Sequence, residues 1–257
     1  MFCCRRYSSL LLQAGLLIVF SLAQKSSVAQ KRYSYNSQVW LSYFNNLRLS
    51  DKWGVSMDGS IRTQNHLVNH FSQLLFRAGG TWYISDDLRA TIGYVYSEYY
   101  PNENHPYTKR IEHRPYEMIQ WVKDAGVFRF VQTGRLEQRF RQRILNGDLG
   151  EGYGFLQRAR LASVVMWSLS KRGFVPKHVA VTSGLELFYN IGKEVRNNGF
   201  DQLRASANIQ YQISKTNTVT GGYLYQLQQF NNGDGYNKLN AIRFSFIQQL
   251  DLRKNKS

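Results

Sequence analysis

Hydrophobic and polar residues alternate along almost the whole chain after about residue 38. In residues 52–62, for example, Trp53, Val55, Met57 and Ile61 interleave with polar or small residues. Because successive side chains of a β-strand point to opposite faces, this period of two predicts strands with one apolar and one polar face. We predict eleven such segments, with no competing helical period after residue 30: 38–49, 52–64, 71–84, 88–99, 109–123, 126–142, 153–169, 177–191, 199–213, 217–230 and 238–252.

The lengths of these segments favour a membrane protein. Most run from about twelve to seventeen residues, whereas a strand in a soluble protein averages about five or six. A tilted strand needs roughly 9–11 residues to cross a bilayer. Short turns such as ISDDL at 84–88 alternate with longer polar links such as YPNENHPYTK and ILNGDLGEGYG. The pattern is typical of an all-β, transmembrane, antiparallel up-and-down β-barrel with short turns in the periplasm and longer loops outside.

The number of strands is the open point of this scheme. Single-chain bacterial barrels have an even number of strands, and eleven segments do not satisfy that rule. A short additional strand over Lys31–Asn36 gives twelve, the count we favour, and dropping one segment gives ten.

The first 29 residues predict a signal peptide, which leaves a barrel domain at 30–257. Arg5 and Arg6 precede an apolar run that ends at Phe20, and Ser27-Val28-Ala29 provides small residues for cleavage. The run is too short for a membrane-spanning helix. Cleavage removes Cys3 and Cys4, the only cysteines, so disulfide scaffolds and zinc–thiolate sites are excluded. Together with the strand pattern, this predicts the outer membrane of a Gram-negative bacterium.

The formal net charge of +16 also needs an interpretation. Basic residues are spread along the chain, and the predicted location excludes nucleic acid as a partner. Phosphate-binding loops, dinucleotide fingerprints and calcium loops are absent from the sequence. We therefore expect no cofactor and no metal.

Four tryptophans lie within a few residues of the short turns, on the apolar faces of their segments. Amphipathic aromatic side chains settle at the boundary between membrane and water. We predict a membrane-interface aromatic girdle that consists of Trp53, Trp82, Trp121 and Trp167.

Charged rows mark the opposite faces. In GRLEQRFRQR, residues 134–143, one face carries Arg135, Glu137, Arg139 and Arg141, and the other carries Leu136 and Phe140. Charges that face lipid cost several kcal/mol each near the bilayer centre, so the charged row must face the lumen. The predicted lumen charge network is Arg62, Glu112, Arg114, Arg135, Glu137, Arg139, Arg158, Arg160, Glu186 and Arg204.

The turn KDAG at 123–126 joins two of these charged segments. A turn on Ala125-Gly126 places Arg114 opposite Glu137 and Glu112 opposite Arg139. A turn on Asp124-Ala125 instead places Glu112 opposite Glu137, which like-charge repulsion disfavours. We therefore predict the first register.

Several short motifs resemble an uncharacterised family of Bacteroidota outer-membrane barrels known as domain of unknown function 2490. They are Trp40, EHR at 112–114, RLEQR at 135–139, RAR at 158–160, ELFYN at 186–190 and FDQLR at 200–204. The resemblance implies a small porin-like barrel without an established activity. One departure from outer-membrane barrels in general is the C-terminus LDLRKNKS, which lacks a terminal aromatic residue.

Three functions are compatible with this pattern. Arginines outnumber carboxylates in the predicted lumen, which favours a narrow anion-preferring channel for an unknown small solute or ion. The same residues can instead form salt bridges that plug a structural or lipid-binding barrel. A lipid hydrolase needs a serine, a histidine and a carboxylate together, and no such motif stands out, so we expect no enzyme and no catalytic residues. The expected partners are the lipid bilayer, lipopolysaccharide and the barrel-assembly machinery.

Overall fold

A computed structural model of the chain describes residues 31–64, 70–101, 108–193, 195 and 197–253. Eleven strands account for most of these residues, and each corresponds to one of the alternating segments of the sequence. Their bounds are β1 Arg32–Arg48, β2 Trp53–Gln64, β3 His70–Tyr83, β4 Leu88–Tyr99, β5 Arg110–Ala125, β6 Phe128–Leu145, β7 Asp148–Ser168, β8 His178–Ile191, β9 Phe200–Gln212, β10 Asn217–Gln229 and β11 Gly235–Asp251. The predicted signal peptide lies outside the described residues.

The strands form one closed barrel, which confirms the predicted all-β fold. Each strand pairs with its neighbours in sequence, and β11 closes the sheet against β1. The contacts across this closure advance in the same direction along both strands. Ser34 Oγ lies 3.0 Å from Asn237 Oδ1, Tyr43 Oη donates to Gln248 Oε1 at 2.8 Å, and the amide of Leu252 donates to the carbonyl of Arg48 at 2.8 Å. β1 and β11 are therefore parallel, whereas the sequential pairs are antiparallel.

The predicted counts of twelve and ten strands are both wrong. Residues 32–36 do not form a separate strand, because nothing breaks the chain before residue 37 and β1 continues through them. A parallel closing pair removes the requirement for an even count, since the first and last strands then run in the same direction. The barrel has eleven strands within the described residues.

Apolar side chains lie on the outside of the barrel and polar side chains on the inside. Ile92 is 74% exposed, and Leu161, Ile209 and Phe244 are also well exposed. On the inside, Glu112 is 0% exposed and Glu137 is 1% exposed. This is the reverse of the arrangement in a soluble protein. Side chains along the strands therefore alternate between the packed polar interior and the apolar exterior, as the sequence pattern predicts.

The described part of the chain contains no helix that is long and apolar enough to cross a membrane.

The connections at the two ends of the barrel differ in length less than the sequence pattern indicates. At one end lie 49–52, 84–87, 126–127, 169–177 and 213–216, and at the other lie 65–69, 100–109, 146–147, 192–199 and 230–234. The polar stretch ILNGDLGEGYG is not a loop but a β-hairpin that turns on Asn146 and Gly147, both with positive φ. Asn-Gly at a two-residue turn is a strong hairpin signal, and it extends β6 and β7 beyond the predicted segments.

The register of β5 against β6 also differs from the prediction. Glu112 is opposite Arg141 and Tyr116 is opposite Glu137, so each partner is displaced by two residues and the faces are unchanged. The turn consists of Gly126 and Val127, and Gly126 has a φ of +63°. Glycine is favoured where the first turn residue of a hairpin needs positive φ, so the turn begins at Gly126 rather than at Ala125.

Candidate functional site in the barrel interior

Most of the inward-facing charged side chains form two groups, and the carboxylates of the first group are almost fully buried. At its centre, Glu112 accepts hydrogen bonds from Arg139 Nε at 2.7 Å, from Arg141 Nε at 2.9 Å and from Arg114 Nε at 2.9 Å. The Glu112 side chain is 0% exposed. A carboxylate buried this deeply is tolerated because several guanidinium groups replace its hydration.

Glu137 extends the same group along β6 and onto β7. It accepts hydrogen bonds from Arg158 Nε at 2.9 Å and Nη2 at 2.6 Å, and Arg114 and Arg135 approach it to 3.7 Å. Arg158 also donates to Asp201 Oδ2 at 2.8 Å. We call this group the closed cluster: Glu112, Glu137, Asp201, Arg114, Arg135, Arg139, Arg141 and Arg158.

Tyr116 packs beside the closed cluster and fixes its position against β3 and β4. The side chain is 1% exposed, and the guanidinium carbon of Arg135 lies 4.6 Å from its ring centroid. The ring occupies space above Gly93 and Gly79, where a Cβ atom would lie 2.5 Å and 3.0 Å from it. Two glycines on adjacent strands therefore make room for one inward-facing tyrosine.

The second group lies on β2, β7, β8, β9 and β11 and keeps contact with water. Glu186 Oε2 lies 2.9 Å from Arg160 Nη2 and 3.7 Å from Arg204 Nη1. The side chains of Arg160, Glu186 and Arg204 are 21%, 19% and 13% exposed. Arg62 and Arg243 are inward-facing and partly exposed. We call this group the wetted cluster: Arg62, Arg160, Glu186, Arg204 and Arg243.

The two clusters differ in charge balance as well as in the exposure of their carboxylates. The closed cluster sets five arginines against three carboxylates, and the wetted cluster sets four arginines against one carboxylate. The formal excess is therefore +2 in the first and +3 in the second. Because arginine stays protonated in proteins, the wetted side of the lumen is positive at every physiological pH.

All ten residues of the predicted charge network lie in these clusters, but in two groups rather than one. The closed cluster contains Glu112, Arg114, Arg135, Glu137, Arg139 and Arg158, and the wetted cluster contains Arg62, Arg160, Glu186 and Arg204. The two predicted ion pairs, Glu112–Arg139 and Arg114–Glu137, occur at 2.7 Å and 3.7 Å. They are diagonal contacts rather than direct cross-strand neighbours, which is why they survive the change of register.

Asp201 is absent from the predicted network for a structural reason. Strict alternation along β9 places it on the outer face with Leu203 and Ala205. The register shifts opposite Phe188 and Tyr189, where Asp201 is the additional residue on β9. This β-bulge turns Asp201 inward, and its side chain is 8% exposed.

Comparison with known proteins places the chain in a family. The family model described as "Protein of unknown function (DUF2490)" matches residues 37–237, from β1 to the first residues of β11. The chain belongs to this family. Among curated proteins, none matches the chain. The barrel is similar to a NanC porin solved in a rhombohedral crystal form, with 14% identity, a TM-score of 0.48, and coverage of 83% of this chain and 99% of that chain.

The four tryptophans of the predicted girdle all point outward at one end of the barrel. Their exposed fractions are 58% for Trp53, 47% for Trp82, 39% for Trp121 and 49% for Trp167. Trp53 stacks on Trp82 and Trp167 stacks on Phe128, each with 6.5 Å between ring centroids. Trp40, in contrast, points inward and is 6% exposed.

His113, His178 and Lys109, which lie outside the two clusters, have ordinary partners. His113 faces outward between Tyr94, to which it is hydrogen-bonded, and Tyr153 Oη at 3.4 Å, while His178 Nδ1 lies 2.9 Å from the carbonyl of Pro176. Lys109 lies 2.7 Å from Glu98, and this hydrogen bond raises the pKa of Lys109. In the part of the chain that is described, no group of three His, Asp or Glu side chains could hold a metal ion.

Proposed function

We propose that the protein is an outer-membrane β-barrel that forms a narrow, anion-preferring channel. The outer-membrane location is supported by the closed sheet, which leaves no unpaired edge, and by the apolar outer face. The lipid bilayer, lipopolysaccharide and the barrel-assembly machinery are partners proposed on the same grounds. We propose transport rather than catalysis.

The observation that carries the proposal is the wetted cluster. Four arginines and one glutamate retain partial exposure on the inner wall, so the lumen on that side holds water and excess positive charge. Arginine-lined constrictions favour anions over cations. The closed cluster fills the space next to β5 and β6 and makes the passage narrow, as expected for a barrel of this size.

An ion-flux measurement in lipid vesicles tests the channel. The refolded chain is inserted into vesicles that contain a chloride-sensitive dye, and a potassium ionophore balances the charge that enters. We expect chloride to enter much faster than it enters protein-free vesicles. In parallel vesicles that contain a potassium-sensitive dye and no ionophore, we expect potassium to enter slowly. Folded protein that admits potassium as readily as chloride contradicts the proposal.

A plugged barrel with a structural or lipid-binding role is the second candidate, and the closed cluster is the observation that favours it. Its carboxylates are at most 8% exposed, so that side of the lumen contains almost no water. In the vesicle measurement, this candidate predicts no flux of either ion. Heat-modifiable migration on gels must then show that the barrel is folded.

A further inference from the structure

The wetted cluster lacks enough protein carboxylates to balance its arginines. Arg160 and Arg204 share Glu186. Among the described residues, Arg62 and Arg243 have no carboxylate oxygen within the 4.0 Å that defines an ion pair, although Arg243 interacts electrostatically with Glu186 and Arg160. Positive charge that the protein itself leaves unbalanced attracts an anion from solution.

Neutral side chains hold these arginines in place. Arg204 donates from Nε to Gln226 Oε1 and from Nη2 to Gln202 Oε1, each at 2.8 Å. Arg62 donates from Nη1 to Gln73 Oε1 at 2.8 Å. Glutamine oxygens orient a guanidinium group without cancelling its charge, whereas the carboxylates of the closed cluster do both.

Aromatic rings support the same guanidinium groups from their flat faces. The guanidinium carbon of Arg62 lies 3.9 Å from the ring centroid of Trp40, and that of Arg204 lies 4.6 Å from the ring centroid of Phe188. The guanidinium carbon of Arg160 lies 5.1 Å from the same ring centroid of Phe188. Stacking covers the face of a guanidinium and leaves the N–H groups at its edge to donate in the plane. Nε of Arg62 and Nε of Arg160 are buried and have no hydrogen-bond partner, and neither has Glu186 Oε2, so the protein leaves polar groups of this cluster unsatisfied.

We infer that the wetted cluster binds a small solute that carries two or more oxyanion charges, such as a dicarboxylate or a phosphate. The formal excess of +3 is too large for one monovalent ion to balance. Guanidinium edges pair in a bidentate manner with planar carboxylates and with phosphates, which a spherical halide cannot match. This inference deepens the proposed channel, because it identifies the class of solute that the lumen would select, and it rests on that proposal for its role in transport.

Equilibrium binding tests the site without reference to conduction. The full chain, refolded in a non-ionic detergent, is titrated in a calorimeter with succinate, with inorganic phosphate and with neutral succinamide. Chloride maintains the same ionic strength throughout. We expect succinate or phosphate to bind, with the tighter one identifying the source of the oxyanion, and succinamide to give no binding heat. Absence of binding by both oxyanions overturns the inference.

A double variant and a single control variant locate the site. In Arg62→Gln with Arg204→Gln, we expect the affinity to fall by about tenfold or more, because charge-assisted hydrogen bonds are lost. Arg89→Gln is the control, since Arg89 is an inward-facing arginine of β4 that donates to Gln120 at 2.7 Å outside the cluster. The Arg89→Gln protein should bind the oxyanion with an affinity within about twofold of that of the unmodified protein. Equal loss in the control overturns the inference.

The test remains decisive if the double variant does not fold. Arg243→Gln then replaces it, because Arg243 has no ion pair among the described residues whose loss would destabilise the barrel. We expect weaker oxyanion binding in a barrel that migrates normally on gels, and unchanged binding overturns the assignment. Binding without ion flux retains the site and refutes the channel, whereas flux without binding refutes the site alone.

Discussion

At the residue scale, burial distinguishes the carboxylates of the interior. Glu137 is 1% exposed and contacts three arginines, whereas Glu186 is 19% exposed and contacts two. Removal of one partner from a water-excluded ion pair leaves the others uncompensated, and water screens the same loss more effectively at a partly exposed pair. The two glutamates therefore form a natural pair of variants.

Glu137→Gln should strongly destabilise the barrel. We expect the free energy of unfolding to fall by about 3–5 kcal/mol, because Arg114, Arg135 and Arg158 lose a buried counter-charge. Urea unfolding of the refolded protein in lipid vesicles, followed by tryptophan fluorescence, measures the change. Glu186→Gln is the control and should lose only roughly 1 kcal/mol. Equal losses would show that the closed cluster is not the water-excluded network described above.

Gly93→Ala should disturb the packing of Tyr116. A Cβ atom at residue 93 would lie 2.5 Å from the tyrosine ring, and the ring is fully buried. We expect a loss of about 1–3 kcal/mol in the same unfolding measurement, the usual cost of overpacking. At Gly80 a Cβ atom would meet nothing within 4 Å, so Gly80→Ala should change the stability by less than about 0.5 kcal/mol. A harmless Gly93→Ala would contradict the placement of Tyr116.

The sequence predicts the inward-facing charges well because alternation alone decides the face of a residue. Arg158 and Glu137 are examples, since each lies in an uninterrupted row of its strand. Asp201 is missed because a bulge changes the face without a recognisable sequence signal. The division into a closed and a wetted cluster is also missed, because it depends on which strands lie opposite each other across the lumen.

At the element scale, turn chemistry determines how far the strands extend and how they pair. The dipeptide Asn146-Gly147 predicts the β6–β7 hairpin by itself, yet it lies in a polar stretch that resembles a loop. At the β5–β6 turn, the charge-based choice of register is wrong because Gly126 takes the first turn position. Diagonal ion pairs tolerate a displacement of two residues, so charge complementarity alone cannot fix the register.

The parallel closure of β1 against β11 predicts a specific pattern of cross-links. In a chain with Cys3 and Cys4 changed to Ser, the pairs Ser34→Cys with Asn237→Cys and Asn45→Cys with Gln248→Cys should form disulfides on mild oxidation. The wild-type side chains lie 3.0 Å and 2.9 Å apart. Non-reducing gel migration and mass spectrometry of tryptic peptides measure the product.

The control for this prediction joins opposite ends of the two strands. Ser34→Cys with Gln248→Cys should remain reduced in the folded barrel, because Ser34 lies beside Asn237 and Gln248 lies beside Tyr43. An antiparallel closing pair would reverse these results. A cross-link in the control and none in the two test pairs would therefore refute the eleven-strand closure.

At the scale of the whole molecule, the sequence pattern predicts the barrel, whereas the number of strands depends on how the barrel closes. The length and alternation of the segments require a closed sheet with an apolar exterior. The count of eleven depends on how the first and last strands meet, and neither strand contains a residue pattern that distinguishes parallel from antiparallel pairing. The evenness rule for bacterial barrels consequently leads to the wrong count here.

We propose that the interior of this barrel conducts ions and that the positive charge of the wetted cluster selects among them. The reversal potential of the refolded protein in a planar bilayer, measured across a gradient of potassium chloride, tests it most directly. We expect stable single-channel steps and a reversal potential of the sign that indicates preference for chloride. Steps with preference for potassium, or correctly folded barrels that give no steps, would contradict it.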